Sequence, residues 1–247
     1  MKEHIDTIPL NDAFRSGDEC PFCYLERLAT RRTVRYVIGP GASYMEPDVR
    51  AQTTREGFCG QHMQMLYDYG NALGNALILQ SRYQRLTAGL REQIEGFRMP
   101  KKSLLGKKTA ESPLAQWAKE ESGDCLVCSR VRYHMKRYMQ GFFALLDEPE
   151  FKSLVEASKG FCLRHFPVLL DRAAEELPEK HRQWFYDTAL SLMEENLRRV
   201  QGDIDHFVEM FDYRMAGADW GDSKDAVARG MQKLQGLYVA DEAFKED

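Results

Sequence analysis

Cysteine occurs six times in this chain, and all six fall into one pattern written twice. Cys20-x-x-Cys23 is followed, after thirty-five residues, by Cys59-x-x-His62; Cys125-x-x-Cys128 is followed, after thirty-three, by Cys162-x-x-His165. The second half of each pattern lies in a longer match, "EGFCGQH" against "KGFCLRH". A fold for this chain must bring ligand-type side chains from well-separated segments to common points.

The match extends around the cysteines. "PLNDAFRSGDEC" (9–20) parallels "PLAQWAKEESGDC" (113–125), and "EPDVRAQTTREGFC" parallels "EPEFKSLVEASKGFC" with one residue of slack. The chain therefore reads as an internal duplication of a unit a little over a hundred residues long. The seam lies in "RMPKKSLLGKKTAESP", whose Pro, Gly and lysines mark an exposed linker. The expected organisation is a first repeat over 1–105, a second over 106–216 and a C-terminal loop and helix over 217–247.

Each repeat reads as helical. Asp18 and Asp124 stand where N-caps would open a first helix. Pro47 and Pro149 suit the first turn of a second, with Gly57 and Gly160 as its stop. A single long helix of roughly 35 residues, about 50 Å, is then expected after each Cys-x-x-His. Its stripe runs through Leu66, Leu73, Tyr83, Leu90, Ile94 and Phe97 in the first repeat, and through Phe185, Ala189, Leu192, Asn196, Val200 and Phe211 in the second. No window alternates like a strand. The fold class is all-α: two tandem pseudo-symmetric repeats, each clamped by a Cys3His site, with the long helices in a shared bundle.

Three thiolates and an imidazole suit a tetrahedral ion, and a two-residue spacer lets one turn supply two ligands. A first helix of about 16 residues rises about 24 Å. The remaining ~19 residues can retrace that distance at up to ~3.3 Å each. The matched spacings therefore favour pairing within each repeat. Cys20, Cys23, Cys59 and His62 would form one site, and Cys125, Cys128, Cys162 and His165 the other. Pairing across repeats would need intimately intertwined units. Ligand softness favours two zinc ions, with two iron–sulfur clusters or metal-free dithiol chemistry as alternatives. A zinc ion closed by four protein ligands holds the fold together and leaves no position for substrate. His4, His134, His181 and His206 lack such register with cysteine and read as surface or packing residues.

The chain carries 34 basic and 38 acidic residues, a formal charge of −4, which argues against a nucleic-acid partner. The N-terminal "MKEHIDTIPLNDAF" has no apolar run of signal-peptide length, and no stretch is apolar enough for a membrane. A cytoplasmic location is expected, where six cysteines point to metal or redox chemistry rather than a disulfide framework.

Taken together, "IPLNDAF", "CPFC", "GFCGQH", "CLVC", "GFCLRHF" and "FDYRMAGADWGDSKDA" resemble an uncharacterised bacterial and archaeal family of unknown function. That family is defined by this doubled CxxC…GFCxxH layout. The resemblance covers essentially the whole chain and implies small soluble proteins without an assigned reaction.

No GxSxG, GxxxxGK[ST] or GxGxxG is present, which counts against an enzyme. The segment 211–236 has no counterpart in the first repeat. Tyr213, Arg214, Trp220, Lys224 and Asp225 gather there as a candidate ligand or partner loop, with Ser223 as the expected cap of a last helix; alternatively, Trp220 only pins the tail to the bundle. The long stripes are read mainly as core and leave room for a protein partner or a homodimer. The leading expectation is a non-enzymatic, zinc-binding adaptor or regulatory protein. The alternative is a redox or electron-transfer protein with iron–sulfur clusters or oxidation-sensitive zinc–thiolate sites. An enzyme site between the repeats near Trp220 is a third, weaker option.

Overall fold

The structure, a computed structural model, describes residues 7–99, 112–236 and 239. Among these there are eleven α-helices and no strand. The helices are α1 (Ile8–Arg15), α2 (Pro21–Ile38), α3 (Pro47–Glu56), α4 (Gly60–Asp68), α5 (Ala72–Gly96), α6 (Pro113–Gly123), α7 (Leu126–Leu145), α8 (Pro149–Glu156), α9 (His165–Glu176), α10 (Glu179–Glu209) and α11 (Ala226–Gln235). The order α1–α5 recurs as α6–α10, and α11 stands outside the repeat. None of the described helices is long and apolar enough to cross a membrane.

The chain forms two compact units, and they divide it differently from the sequence repeats. One holds the chain up to Ala29 together with the chain from Tyr133 through α11; the other holds Thr30–Arg132. Both α2 and α7 begin in one unit and end in the other. Each unit therefore combines the Cys-x-x-Cys half of one repeat with the Cys-x-x-His half of the other.

The first unit is built on phenylalanine. Leu10, Ala13 and Phe14 recur at helical spacing and give α1 a buried face, which packs on α8. Phe14 stacks on Phe142 at 5.6 Å, and Phe22, Phe143 and Phe185 meet Phe142 edge-on at 5.4, 5.1 and 6.0 Å. Edge-on contact places a positive ring edge on a negative face and adds to simple burial. The α11 helix packs along α10, where Gly230 permits close approach: a Cβ there would stand 2.9 Å from Ile204 Cδ1. Its amine Lys233 is buried, with Nζ 2.8 Å from Glu19 O and 3.5 Å from the Glu19 carboxylate. Arg199 reaches the same carboxylate at 2.5 Å.

The second unit closes around the end of α2. Val34, Val37 and Ile38 are fully buried, as are Leu126 and Val127 at the start of α7. Arg82 of α5 donates to Thr54 O at 2.7 Å and Arg55 O at 3.0 Å at the C-terminal end of α3, and pairs with Glu121 of α6 at 2.9 Å. A cation at a helix C-terminus satisfies carbonyls that the helix leaves without partners.

Several expectations need correction. The long helix expected after each Cys-x-x-His is two helices. Gly70, at φ 86°, stops α4, and Asn71 caps α5 by accepting from Gly74 N at 2.9 Å. Pro178, which has no N–H to continue a helix, separates α9 from α10. The first stripe is not uniformly core: Leu66 is buried, whereas Leu73, Tyr83 and Ile94 are exposed. Asp18 does not cap α2 but accepts from Arg27 and Gln232, each at 2.5 Å. Ser223 lies in a 3-10 turn, where its hydroxyl donates to Trp220 O at 2.6 Å.

Candidate metal centres

The structure brings the eight ligand-type residues together in two groups of four, but not in the sets expected from the spacing. One group is Cys20, Cys23, Cys162 and His165; the other is Cys59, His62, Cys125 and Cys128. Each group takes its Cys-x-x-Cys from one repeat and its Cys-x-x-His from the other, and each lies within a single compact unit. In each, the four ligand atoms lie within 4.8 Å of one another.

The crossing follows from helix length and from what α4 packs against. The 18 residues of α2 carry the chain about 27 Å from Cys20. The 10 residues of α3 span only about 15 Å and do not bring it back. The α4–α5 junction is fixed at the far end of α2 instead. Asn71 Nδ2 donates to Ile38 O at 3.0 Å, and a Cβ on Gly74 would meet Ile38 Cδ1 at 2.7 Å. The start of α7 joins the end of α3, its Leu126 N–H donating to Gly57 O at 3.1 Å. Cys125 and Cys128 are thereby delivered to Cys59 and His62. The within-repeat pairing assumed that the loop residues would retrace α2, and they do not.

The first centre is closed. Cys20 precedes α2, its carbonyl accepting from Cys23 N at 3.0 Å, and His165 opens α9. Nδ1 of His165 lies 3.3 Å from Cys162 Sγ and 3.5 Å from both Cys20 Sγ and Cys23 Sγ. Cys23 and Cys162 are 3.5 Å apart, sulfur to sulfur. Glu26 stands 3.9 Å from the other ring nitrogen of His165, close enough for its charge to act on the ring but too far for a hydrogen bond. All four ligand residues are buried.

The second centre is more open. Cys59 caps α4 in extended backbone, and His62 sits in its first turn. Nδ1 of His62 lies 3.2 Å from Cys59 Sγ, 3.3 Å from Cys125 Sγ and 3.4 Å from Cys128 Sγ. Cys59 and Cys128 are 3.9 Å apart and only half-buried. Tetrahedral coordination with Zn–S near 2.3 Å and Zn–N near 2.05 Å puts S···S at about 3.8 Å and S···N at about 3.5 Å. Both clusters can hold a metal ion on that measure.

The electrostatics are those of thiolates competing for protons. Hydrogen bonds to Cys162 and Cys20, with burial, push the Cys23 thiol far up, while hydrogen bonds from Cys20 and Cys23 draw Cys162 far down. Burial opposes charge on His165, yet hydrogen bonds to Cys162 and Cys20 carry it up to about 10. At the second centre burial, with the neighbouring Cys125, pushes Cys128 up to about 12. Burial also works against a charge on Cys125, but the Cys128 N–H, 3.5 Å from its sulfur, helps draw it down. A divalent cation held by these residues would replace the shared protons and release them on binding.

The C-terminal residues Tyr213, Arg214, Trp220, Lys224 and Asp225 have different neighbours. Trp220 packs on Phe207 and Phe211 at 5.5 and 5.7 Å, Tyr213 is exposed, and Arg214 pairs with Asp212 at 2.6 Å. Lys224 lies exposed in the 3-10 turn, and Asp225 accepts from Arg229 at 2.7 Å. Of the five, Asp225 alone lines a polar cavity of about 190 Å³, with Asp18, Glu19, Lys159, Arg229 and Gln232. Sequence reasoning missed Glu26, Glu19 and Lys233, charged groups near the first cluster. A charge beside a cysteine ligand, as Glu19 is beside Cys20, was the available signal.

No match was found among curated proteins or among solved structures. The model of one family covers residues 1–241, nearly the whole chain, and with it both ligand sets. The protein therefore belongs to the family of unknown function DUF6062.

Proposed function

We propose that the protein is a non-enzymatic helical adaptor or regulatory protein in which Cys20, Cys23, Cys162 and His165 bind one zinc ion and Cys59, His62, Cys125 and Cys128 bind a second. The observation that carries this is the compactness of the two clusters: four ligand atoms within 4.8 Å of one another. Ligands of a multi-iron cluster attach to different irons and stand farther apart, whereas four ligands of one ion crowd together as here. Three thiolates with one imidazole favour zinc among single ions. Closed coordination leaves no position for substrate, so the metals act as clamps between segments distant in sequence. All six cysteines are unpaired by disulfides, in keeping with a cytoplasmic location.

Elemental analysis with a visible spectrum, on protein purified without oxygen, tests this. Two zinc ions per chain and no visible absorbance are expected. Iron with a broad brown absorbance would instead establish the electron-transfer reading.

A further inference from the structure

The two clusters share a ligand set and differ in what surrounds it. Cys20, Cys23 and Cys162 are no more than 1% exposed, and the end of α11 lies against them. A Cβ at Gly236 would stand 3.0 Å from Cys23 Sγ, and Lys233 O accepts from Leu163 N at 2.9 Å. At the second cluster Cys59 and Cys128 are half-buried, and their sulfurs face each other at 3.9 Å. They come from different segments, one ahead of α4 and the other in the first turn of α7.

From this asymmetry we infer that Cys59 and Cys128 form an oxidation site, converted to a disulfide by a hydroperoxide while the first cluster stays reduced. The inference rests on the reading of both clusters as zinc–thiolate sites. One thiolate attacks the peroxide O–O bond, giving a sulfenic acid and, with a proton, water from hydrogen peroxide or an alcohol from an alkyl hydroperoxide. The second thiolate then attacks the sulfenic sulfur, forming the S–S bond and releasing hydroxide, which a second proton converts to water. Two thiolates supply the two electrons that reduce the peroxide. The sulfurs close from 3.9 Å to about 2.05 Å, a movement small beside the reach of two side chains. His62 and Cys125 are left, two ligands short of a tetrahedral set, so the ion departs. Proximity alone would choose Cys23 and Cys162, which are nearer at 3.5 Å. Access decides otherwise, because the oxidant must reach a sulfur before any disulfide can form.

The test treats zinc-loaded protein with stoichiometric hydrogen peroxide. Free zinc is followed with a chromophoric chelator, and thiols are alkylated for peptide mapping. One zinc per chain should leave about ten-fold faster than the other, together with a peptide linked through Cys59 and Cys128. Equal release of the two ions, or a first disulfide containing Cys20, Cys23 or Cys162, overturns the inference. The zinc count before oxidant separates the two claims: fewer than two ions defeats the metal reading. The order of disulfide formation in the thiol map needs no metal and still decides this one.

Discussion

Nδ1 of His62 lies 3.3 Å from Sγ of Cys125, sixty-three positions further along the chain and in the other sequence repeat. The reciprocal contact, His165 Nδ1 with Cys20 Sγ at 3.5 Å, spans 145 positions. The duplicated halves have exchanged partners within one chain. Each Cys/His cluster therefore joins residues of the first repeat to residues of the second.

The buried amine of Lys233 should matter far more than a surface lysine. Burial pushes its pKa down, while Glu19 stabilises the charge. Lys233→Met removes the donor to Glu19 O and Lys159 O and leaves the Glu19 carboxylate with fewer partners. Truncating one member of a buried charge pair costs roughly 3–5 kcal/mol, here nearer about 3 because Arg199 remains. Urea denaturation measures the loss; a change under about 1 kcal/mol would contradict the role given to Lys233.

Phe142 touches Phe14, Phe22, Phe151 and Phe185 at ring-centroid distances of 5.4 to 6.0 Å. Phe142→Ala opens a cavity among rigid rings that cannot collapse into it, so a loss of about 3–5 kcal/mol is expected in chemical denaturation. Val34→Ala, in the other unit, should cost less, about 1–3 kcal/mol, because fewer buried carbons are removed.

Glu121 carries a pH signature. The Arg85 hydrogen bond, then the charges of Arg82 and Arg85, outweigh burial and hold its carboxyl below the usual carboxylate range. The folded pKa is thus lower than the unfolded one, near 4.3. The stabilisation is fully present above that unfolded value and is lost as the pH falls through the depressed folded value. The stability gap between wild type and Glu121→Gln should be greatest near neutral pH and close in acid. A gap that widened on acidification would reverse the assignment.

The helical class, the Cys and His residues that cluster and the Pro-led starts of α3 and α8 were legible because each has a local signal: a period, a spacer, a proline at the first turn. The α1 and α6 helices carry the same signal at Pro9 and Pro113, in the segments that lead into the cysteines. The break at Pro178 was equally local. The crossed ligand sets were not legible. The near-equal spacings of the two repeats pointed to pairing within each repeat, whereas the choice depends on tertiary placement such as Asn71 and Gly74 docking at Ile38. That is a tertiary contact with no periodic trace. The exposed stripe of α5 shows the same limit, since Tyr83 and Ile94 keep helical register whether or not anything covers them.

Zinc content of two double variants tests the crossing most directly. Cys59→Ala with Cys125→Ala removes two ligands from one cluster, and Cys59→Ala with Cys20→Ala removes one ligand from each. The crossed arrangement predicts one zinc per chain retained by the first variant and none held tightly by the second. The reverse result, with zinc lost from both sites in the first variant and one ion kept in the second, would restore pairing within each repeat and contradict this account.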